Sequence, residues 1–263
     1  MDLQIKGQRA LVTGSTSGIG KGVASNLLKE GATVYVNSFS DDELNSVREE
    51  MLALGDAKFV KCDVTSTESV NAMMDEIYKD GPLDIIVNNV GWWKDMVFGE
   101  TTDADWYRSF EMNFFGAVRT LRYCFPKMIE RGYGKVLNVA SEVAFKPSPD
   151  CLPYCTAKTA VVSLSRGLAE ATRKTNVTVN SLVYGPCWTP GEAAFITKNA
   201  ETAGIPLDDY LDNFFKENEP TSIKGRYLQV EELANTVTYY CSPLSSAVNG
   251  TAIRIDGGIV RHI

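Results

Sequence analysis

The chain has 263 residues, 44% hydrophobic and 22% charged, with a net charge of −7. That length makes one large domain or two small ones, with enough buried surface that no disulfide or metal is needed for stability. The acidic balance argues against a nucleic-acid partner, which needs clustered Lys and Arg, and no run of about 18 apolar residues marks a membrane span.

Short β-branched runs alternate with longer amphipathic stretches. Strands are expected at 9–13, 33–37, 58–61, 85–88, 135–140, 178–182 and 252–255, and helices at 20–30, 41–54, 67–79, 103–131, 154–175 and 230–241. This alternation predicts an α/β fold of Rossmann type: a doubly wound parallel sheet of seven strands with helices on both faces. No Gly/Pro/Ser-rich linker splits the chain, so one domain over 1–263 is expected. From Thr189 to Gly225 the rhythm breaks. Phe195, Tyr210, Phe214 and Phe215 stand among acidic residues, which reads as one or two short helices inserted before the last strand, as a lid or binding loop.

After the first strand comes Thr13-Gly14-Ser15-Thr16-Ser17-Gly18-Ile19-Gly20. Glycines there allow a tight turn and let a pyrophosphate approach the N-terminus of the next helix, where free N–H groups and the dipole favour anions. The spacing is G-x-x-x-G-x-G rather than G-x-G-x-x-G. At the end of the second strand, where NAD sites place an acid against the ribose, the chain has Asn37-Ser38-Phe39-Ser40, with no acid before Asp41 and no Arg. Ser38, Phe39 and Ser40 thus become candidate cofactor contacts, and the missing carboxylate favours NADP(H), with NAD(H) remaining open.

The six cysteines (62, 124, 151, 155, 187, 241) form no CxxC pair and are expected as reduced thiols of a cytoplasmic protein. Residues 1–7 hold no apolar stretch of signal-peptide length. The one histidine is His262, which removes most His-based triads and multi-histidine metal sites; no metal is expected. Acid/base work falls to Tyr, Lys, Asp, Glu or Cys. Tyr154-Cys155-Thr156-Ala157-Lys158 sets a phenol and an ammonium at i and i+4 on one helix face. A nearby cation is expected to favour the phenolate and bring the phenol into a useful range. Ser141 ends the fifth strand, at the carboxyl edge where open α/β sheets bind ligands.

Together these motifs resemble the short-chain dehydrogenase/reductase family, over the whole chain and in order. The resemblance includes Asp63-Val64, Asn88-Asn89-Val90-Gly91, Asn113, Ser141, Tyr154, Lys158, Val179-Asn180-Ser181, Tyr184-Gly185-Pro186-Cys187-Trp188-Thr189 and Asp256-Gly257-Gly258. It implies hydride transfer between a nicotinamide cofactor and a carbonyl or secondary alcohol. By position, Tyr154 exchanges a proton with the substrate oxygen, Ser141 polarises that oxygen, and Lys158 lowers the tyrosine pKa and holds the nicotinamide ribose. Asn113 positions a water behind Lys158. Asp63 and Val64 flank the adenine, Asn89 contacts the adenosine side, Thr189 reaches the nicotinamide amide, and Gly91, Gly185 and Cys187 line the cofactor. The family usually has Ala at Val90 and Pro at Tyr184; Tyr184 is expected to loosen the loop or reach the substrate pocket. Trp92, Trp93, Glu142, Val143, Pro186 and Trp188 are candidate substrate contacts. Among family members the chain is similar to 3-oxoacyl-acyl-carrier-protein reductases, but its acid-rich insertion lacks the basic patch an acidic carrier needs. A homotetramer built on the two long helices is implied. Two alternatives stay open: a cofactor-sensing scaffold without catalysis, and an epimerase or dehydratase on the same fold.

Overall fold

The computed structural model describes residues 1–261, and His262 lies outside them. A seven-stranded parallel sheet runs β3(Ala57–Lys61)-β2(Thr33–Ser38)-β1(Arg9–Val12)-β4(Ile85–Asn88)-β5(Tyr133–Ser141)-β6(Asn176–Tyr184)-β9(Ala252–Ile255). Successive residues of each strand point to opposite faces. Thus Ala10 and Val12 pack under α1(Gly18–Lys29), α2(Asp41–Leu54) and α9(Val230–Cys241), while Leu11 packs with α3(Thr67–Lys79) and α5(Gly116–Arg131) on the other face. Both faces are therefore apolar layers, as a parallel sheet requires.

The chain winds outward from β1 to β3, then returns to β4 on the other side of β1. The loops after β1 and β4 diverge at that switch point and open a crevice at the carboxyl edge. Around it stand the Gly14–Gly20 turn, the Asn89–Gly91 turn, Ser141 and the end of β6.

Three elements differ from expectation. The helix at 103–131 divides into α4(Asp103–Phe110), a π-helical turn Glu111–Phe115, and α5. Helix α6(Leu152–Glu170) stops five residues before 175, where the Thr172 and Thr175 hydroxyls donate to the carbonyls of Ala169 and Thr172 and turn the chain into β6. A two-residue pair, β7(Cys187–Trp188) with β8(Leu228–Gln229), closes the base of the insertion. The insertion itself is α7(Pro190–Ala203) and α8(Leu207–Glu217). Ile196, Phe215 and Tyr227 form a separate small core there with Trp188, Leu207, Tyr210, Leu211 and Phe214.

Candidate active site

The glycine turn is held by the side-chain amides of Asn37 and Asn89 and by its own buried Ser15, whose hydroxyl donates to Val12 O (2.7 Å) and accepts from Asn37 N–H (2.9 Å). Gly14 N–H donates to Asn37 Oδ1 (3.1 Å), and Asn89 Nδ2 donates to the carbonyls of Thr13 and Gly14 (both 3.1 Å). Asn37, read from sequence as part of the ribose turn, points inward instead. Gly14 and Gly18 have φ of +61° and +52°, which side chains other than glycine's adopt with strain. A Cβ on Gly20 would lie 2.3 Å from Gly14 O, so the turn and the helix can approach this closely only with glycine there. Helices α2, α3, α4 and α7 are each capped by a Ser or Thr side chain and carry an acid in the first turn. Helix α1 has neither: Ser17 makes no side-chain cap and no acid follows it. Its first N–H groups, of Gly18, Ile19 and Gly20, are left for an external anion, which fits a pyrophosphate.

At the end of β2, Ser38 is buried, Phe39 is exposed, and Ser40 caps α2. The structure brings one further group here that the sequence reading missed. Glu43, in the first turn of α2, accepts from the hydroxyls of Ser38 (2.5 Å) and Thr16 (3.1 Å). Asp63 Oδ1 turns back onto Thr65, and Val64 is buried against Gly116.

The chemical centre lies across the crevice. The Lys158 ammonium is buried, donates to Val139 O (2.9 Å) and sits 5.6 Å from the centroid of the Tyr154 ring. Gly91 fits between two of these groups: a Cβ there would lie 3.1 Å from Asn113 Oδ1 and 3.3 Å from Lys158 Nζ. Asn113 occupies the π-helical turn and clamps Trp92, accepting from its N–H (2.9 Å) and donating to its carbonyl (2.7 Å). Ser141 lies within hydrogen-bonding reach of the Tyr154 phenol, and its hydroxyl donates to Glu142 Oε2 (2.5 Å).

Burial sets the proton affinities. It pushes the Tyr154 phenol up, and the neighbouring Glu142 carboxylate pushes it further, outweighing the hydrogen bond from Ser141. It pushes the Lys158 ammonium down to about 8. The sequence expectation that Lys158 holds the phenol low is thus not met in the protein alone, where desolvation penalises the charged form of each group.

A family model described as short chain dehydrogenase matches residues 8–200. The chain belongs to the short-chain dehydrogenase/reductase family. It is 44% identical to the "Uncharacterized oxidoreductase YvrD" of Bacillus subtilis, over 100% of both chains. It is 31% identical to the 3-oxoacyl-[acyl-carrier-protein] reductase FabG of Aquifex aeolicus, over 98% of this chain and 100% of that one. Among solved structures, the L-sorbose reductase of Gluconobacter frateurii, complexed with NADPH and L-sorbose, superposes with a TM-score of 0.94 at 30% identity, covering 100% of each chain. The protein is an oxidoreductase that transfers a hydride with a nicotinamide cofactor.

In this dehydrogenase/reductase the crevice continues beyond Tyr154 into a cleft of about 1530 Å³. Ile19, Asn89, Gly91, Gly185, Cys187 and Thr189, expected at the cofactor, line it together with Trp92, Trp93, Glu142, Val143 and Pro186, expected at the substrate. Thr189 caps α7 and packs where a Gly18 Cβ would lie, 3.3 Å from its Cγ2. Trp92 is covered by the Arg108 guanidinium (4.4 Å), and Trp93 meets Phe195 edge-on (5.6 Å). Trp188 is elsewhere: its ring lies 5.2 Å from that of Tyr227 in the core of the insertion. Tyr184 does not loosen the end of β6, where it pairs with Ser141 and Ile255, but it does line the cleft; its ring is buried in the sheet layer shared with α9, with its hydroxyl unpaired among the described residues. No helix of the described residues is long and apolar enough to cross a membrane.

Proposed function

We propose that the protein is an NADP(H)-dependent ketone reductase, with an alcohol as the product, in which Tyr154 is the proton donor. The observation that carries this reading is the convergence of Tyr154, Ser141 and Lys158 at the carboxyl edge, facing a cleft that is continuous with the anion-ready start of α1. The cofactor, when bound, supplies the hydride. The raised phenol is protonated at neutral pH and gives its proton to the substrate oxygen. Ser141 donates a hydrogen bond to that oxygen and orients it. Lys158 holds the nicotinamide ribose and stabilises the phenolate left behind. Asn113 keeps the Trp92 turn in place, and a cavity of about 10 Å³ beside Asn113 and Val139 has the size of one water. The full set of groups disfavours a non-catalytic scaffold.

The substrate end selects by charge. Asp95, Asp150, Glu142, Glu192, Glu217 and Glu219 line the cleft against Lys94 and Lys146, and Lys146 is already paired with Glu219. Such a lining repels carboxylates and acidic carriers and offers acceptors to hydroxyl groups, which suits an uncharged hydroxyketone. The likeness to L-sorbose reductase supports the same class. A panel of hydroxyacetone, L-sorbose, acetoacetate and an acetoacetyl thioester, each with NADPH and NADH, tests this by loss of reduced-nicotinamide absorbance. Uncharged hydroxyketones are expected to react fastest; preference for acetoacetate or the thioester would reject the class, and no absorbance change with any ketone would favour an epimerase or dehydratase.

NADP(H) is supported by the lack of a carboxylate among residues 37–40 at the ribose corner and by the NADPH complex of the reductase above. Glu43 favours a second reading, NAD(H), because its carboxylate would face a 2′-phosphate. The Glu43→Gln variant is expected to raise the NADPH-to-NADH ratio of kcat/KM about fivefold, the effect of removing roughly 1 kcal/mol of like-charge repulsion near solvent. An unchanged ratio would place Glu43 outside the cofactor's reach. A homotetramer in the cytoplasm completes the proposal, supported by exposed Tyr107 on α4 and Phe115 at the end of the π-helical turn.

A further inference from the structure

The cleft holds one buried ionisable group that the mechanism above does not use. Glu142 follows Ser141 directly, begins a short 3-10 turn, and is 8% exposed. Its Oε2 accepts the Ser141 hydroxyl hydrogen at 2.5 Å. A serine hydroxyl has one hydrogen to give. While that hydrogen is directed at Glu142, Ser141 has none to offer a substrate oxygen.

We propose that Glu142 is a positioning residue that controls the donor state of Ser141: as a carboxylate it captures the hydroxyl hydrogen, and as a carboxylic acid it donates to Ser141 Oγ and frees that hydrogen for the substrate oxygen. This rests on the role proposed for Ser141. Reduction needs the second state, in which Glu142, Ser141 and the substrate oxygen form one directed chain of hydrogen bonds. Oxidation of an alcohol is served by the first, in which Ser141 Oγ remains an acceptor for the substrate hydroxyl.

The surroundings allow both states near neutrality. Facing Glu142 are Ser141 on β5, Tyr154 on α6, Cys151 in the turn before α6, Lys146 in its own loop and Glu219 after α8. Burial dominates and lifts the carboxyl to about 7; the Ser141 hydrogen bond lowers it, Glu219 raises it and Lys146 lowers it. Lys146 and Glu219 pair with each other across the cleft mouth, so neither neutralises Glu142 directly.

The test is the pH profile of kcat/KM for reduction of hydroxyacetone and L-sorbose. In the wild type the fraction of protonated Glu142 falls about fourfold between pH 5.5 and 7.5, while Lys158 loses only about a quarter of its protons over the same range, and kcat/KM is expected to fall with Glu142. Glu142→Gln offers a fixed N–H donor and is expected to give a flat profile over that range, and Ser141→Ala is expected to be flat as well, at a much lower level. A wild-type slope that persists in either variant would overturn the proposal. A titration of the side-chain carboxyls by carbon NMR needs no turnover. It should show one inflection near 7 that is absent in Glu142→Gln and moves up in Ser141→Ala; its absence in the wild type, or its indifference to Ser141, also overturns the proposal. Full activity of Tyr154→Phe would instead reject the hydride-transfer roles themselves, so the two failures are distinguishable.

Discussion

Replacing Tyr154 by Phe is expected to lower kcat for ketone reduction by about 10³, within the 10²–10⁴ range for loss of a positioned proton donor, while cofactor affinity changes less than about threefold. The variant removes one oxygen and leaves Lys158 on Val139 O, the glycine turn and the Asn113 clamp untouched. No other group in the centre can substitute. Ser141 can donate a hydrogen bond, but giving up its proton would leave an alkoxide, a far stronger base than a phenolate, and Lys158 is buried behind the tyrosine ring. The pH dependence follows from the raised phenol: the acid form persists through neutrality, so loss of reduction from tyrosine ionisation is confined to alkaline pH. Steady-state assays with both reduced nicotinamides, beside a fluorescence titration of cofactor, measure the two quantities. A kcat within tenfold of the wild type would remove Tyr154 from the proton path.

The second large effect belongs to the cofactor half. Gly20→Ala places a Cβ 2.3 Å from Gly14 O and 2.5 Å from Asn89 Nδ2, and neither atom is free to yield. Gly14 O is backbone, and Asn89 is fixed by its bonds to the turn. Overpacking of this kind costs about 1–3 kcal/mol, a melting decrease of roughly 3–10 °C for a chain this size. The turn can accept the methyl group only by moving away from α1, which separates the N–H groups that hold the pyrophosphate. Cofactor affinity should therefore fall about 100-fold. Gly167→Ala, in α6 with nothing within 4 Å of its Cβ position, is the control and should match or slightly exceed wild-type stability. Equal behaviour of the two variants in melting and cofactor titration would show that the close approach at Gly20 does not matter.

How much of this was legible in the sequence depended on whether the signal was local. The seven strands, the glycine turn and the pairing of Tyr154 with Lys158 rest on periodicity and short spacing, and each lies where that pattern placed it. Glu142 stood out because an acid directly follows Ser141. What could not be read came from contacts between distant segments. Glu43 reaches Thr16 only because α2 folds back over the start of α1. The π-helical turn exists because Asn113 reaches across to the backbone of Trp92, a partner that no helix periodicity reveals. Trp188 looked like a pocket residue by its place in the chain, but the β7–β8 pair turns it toward Tyr227. The upward shift of Tyr154 needed burial to be known, since spacing to a lysine predicts only the opposing attraction.

Helices α7 and α8 bury their aromatic residues mainly against one another and against Tyr227, not against the seven-stranded sheet. A segment with its own apolar nucleus can be exchanged or reshaped as a cassette without retuning the layers beneath it. Substitutions within 190–217 are therefore expected to reshape this side of the cleft while leaving the nucleotide half in place, because the two rest on separate apolar cores.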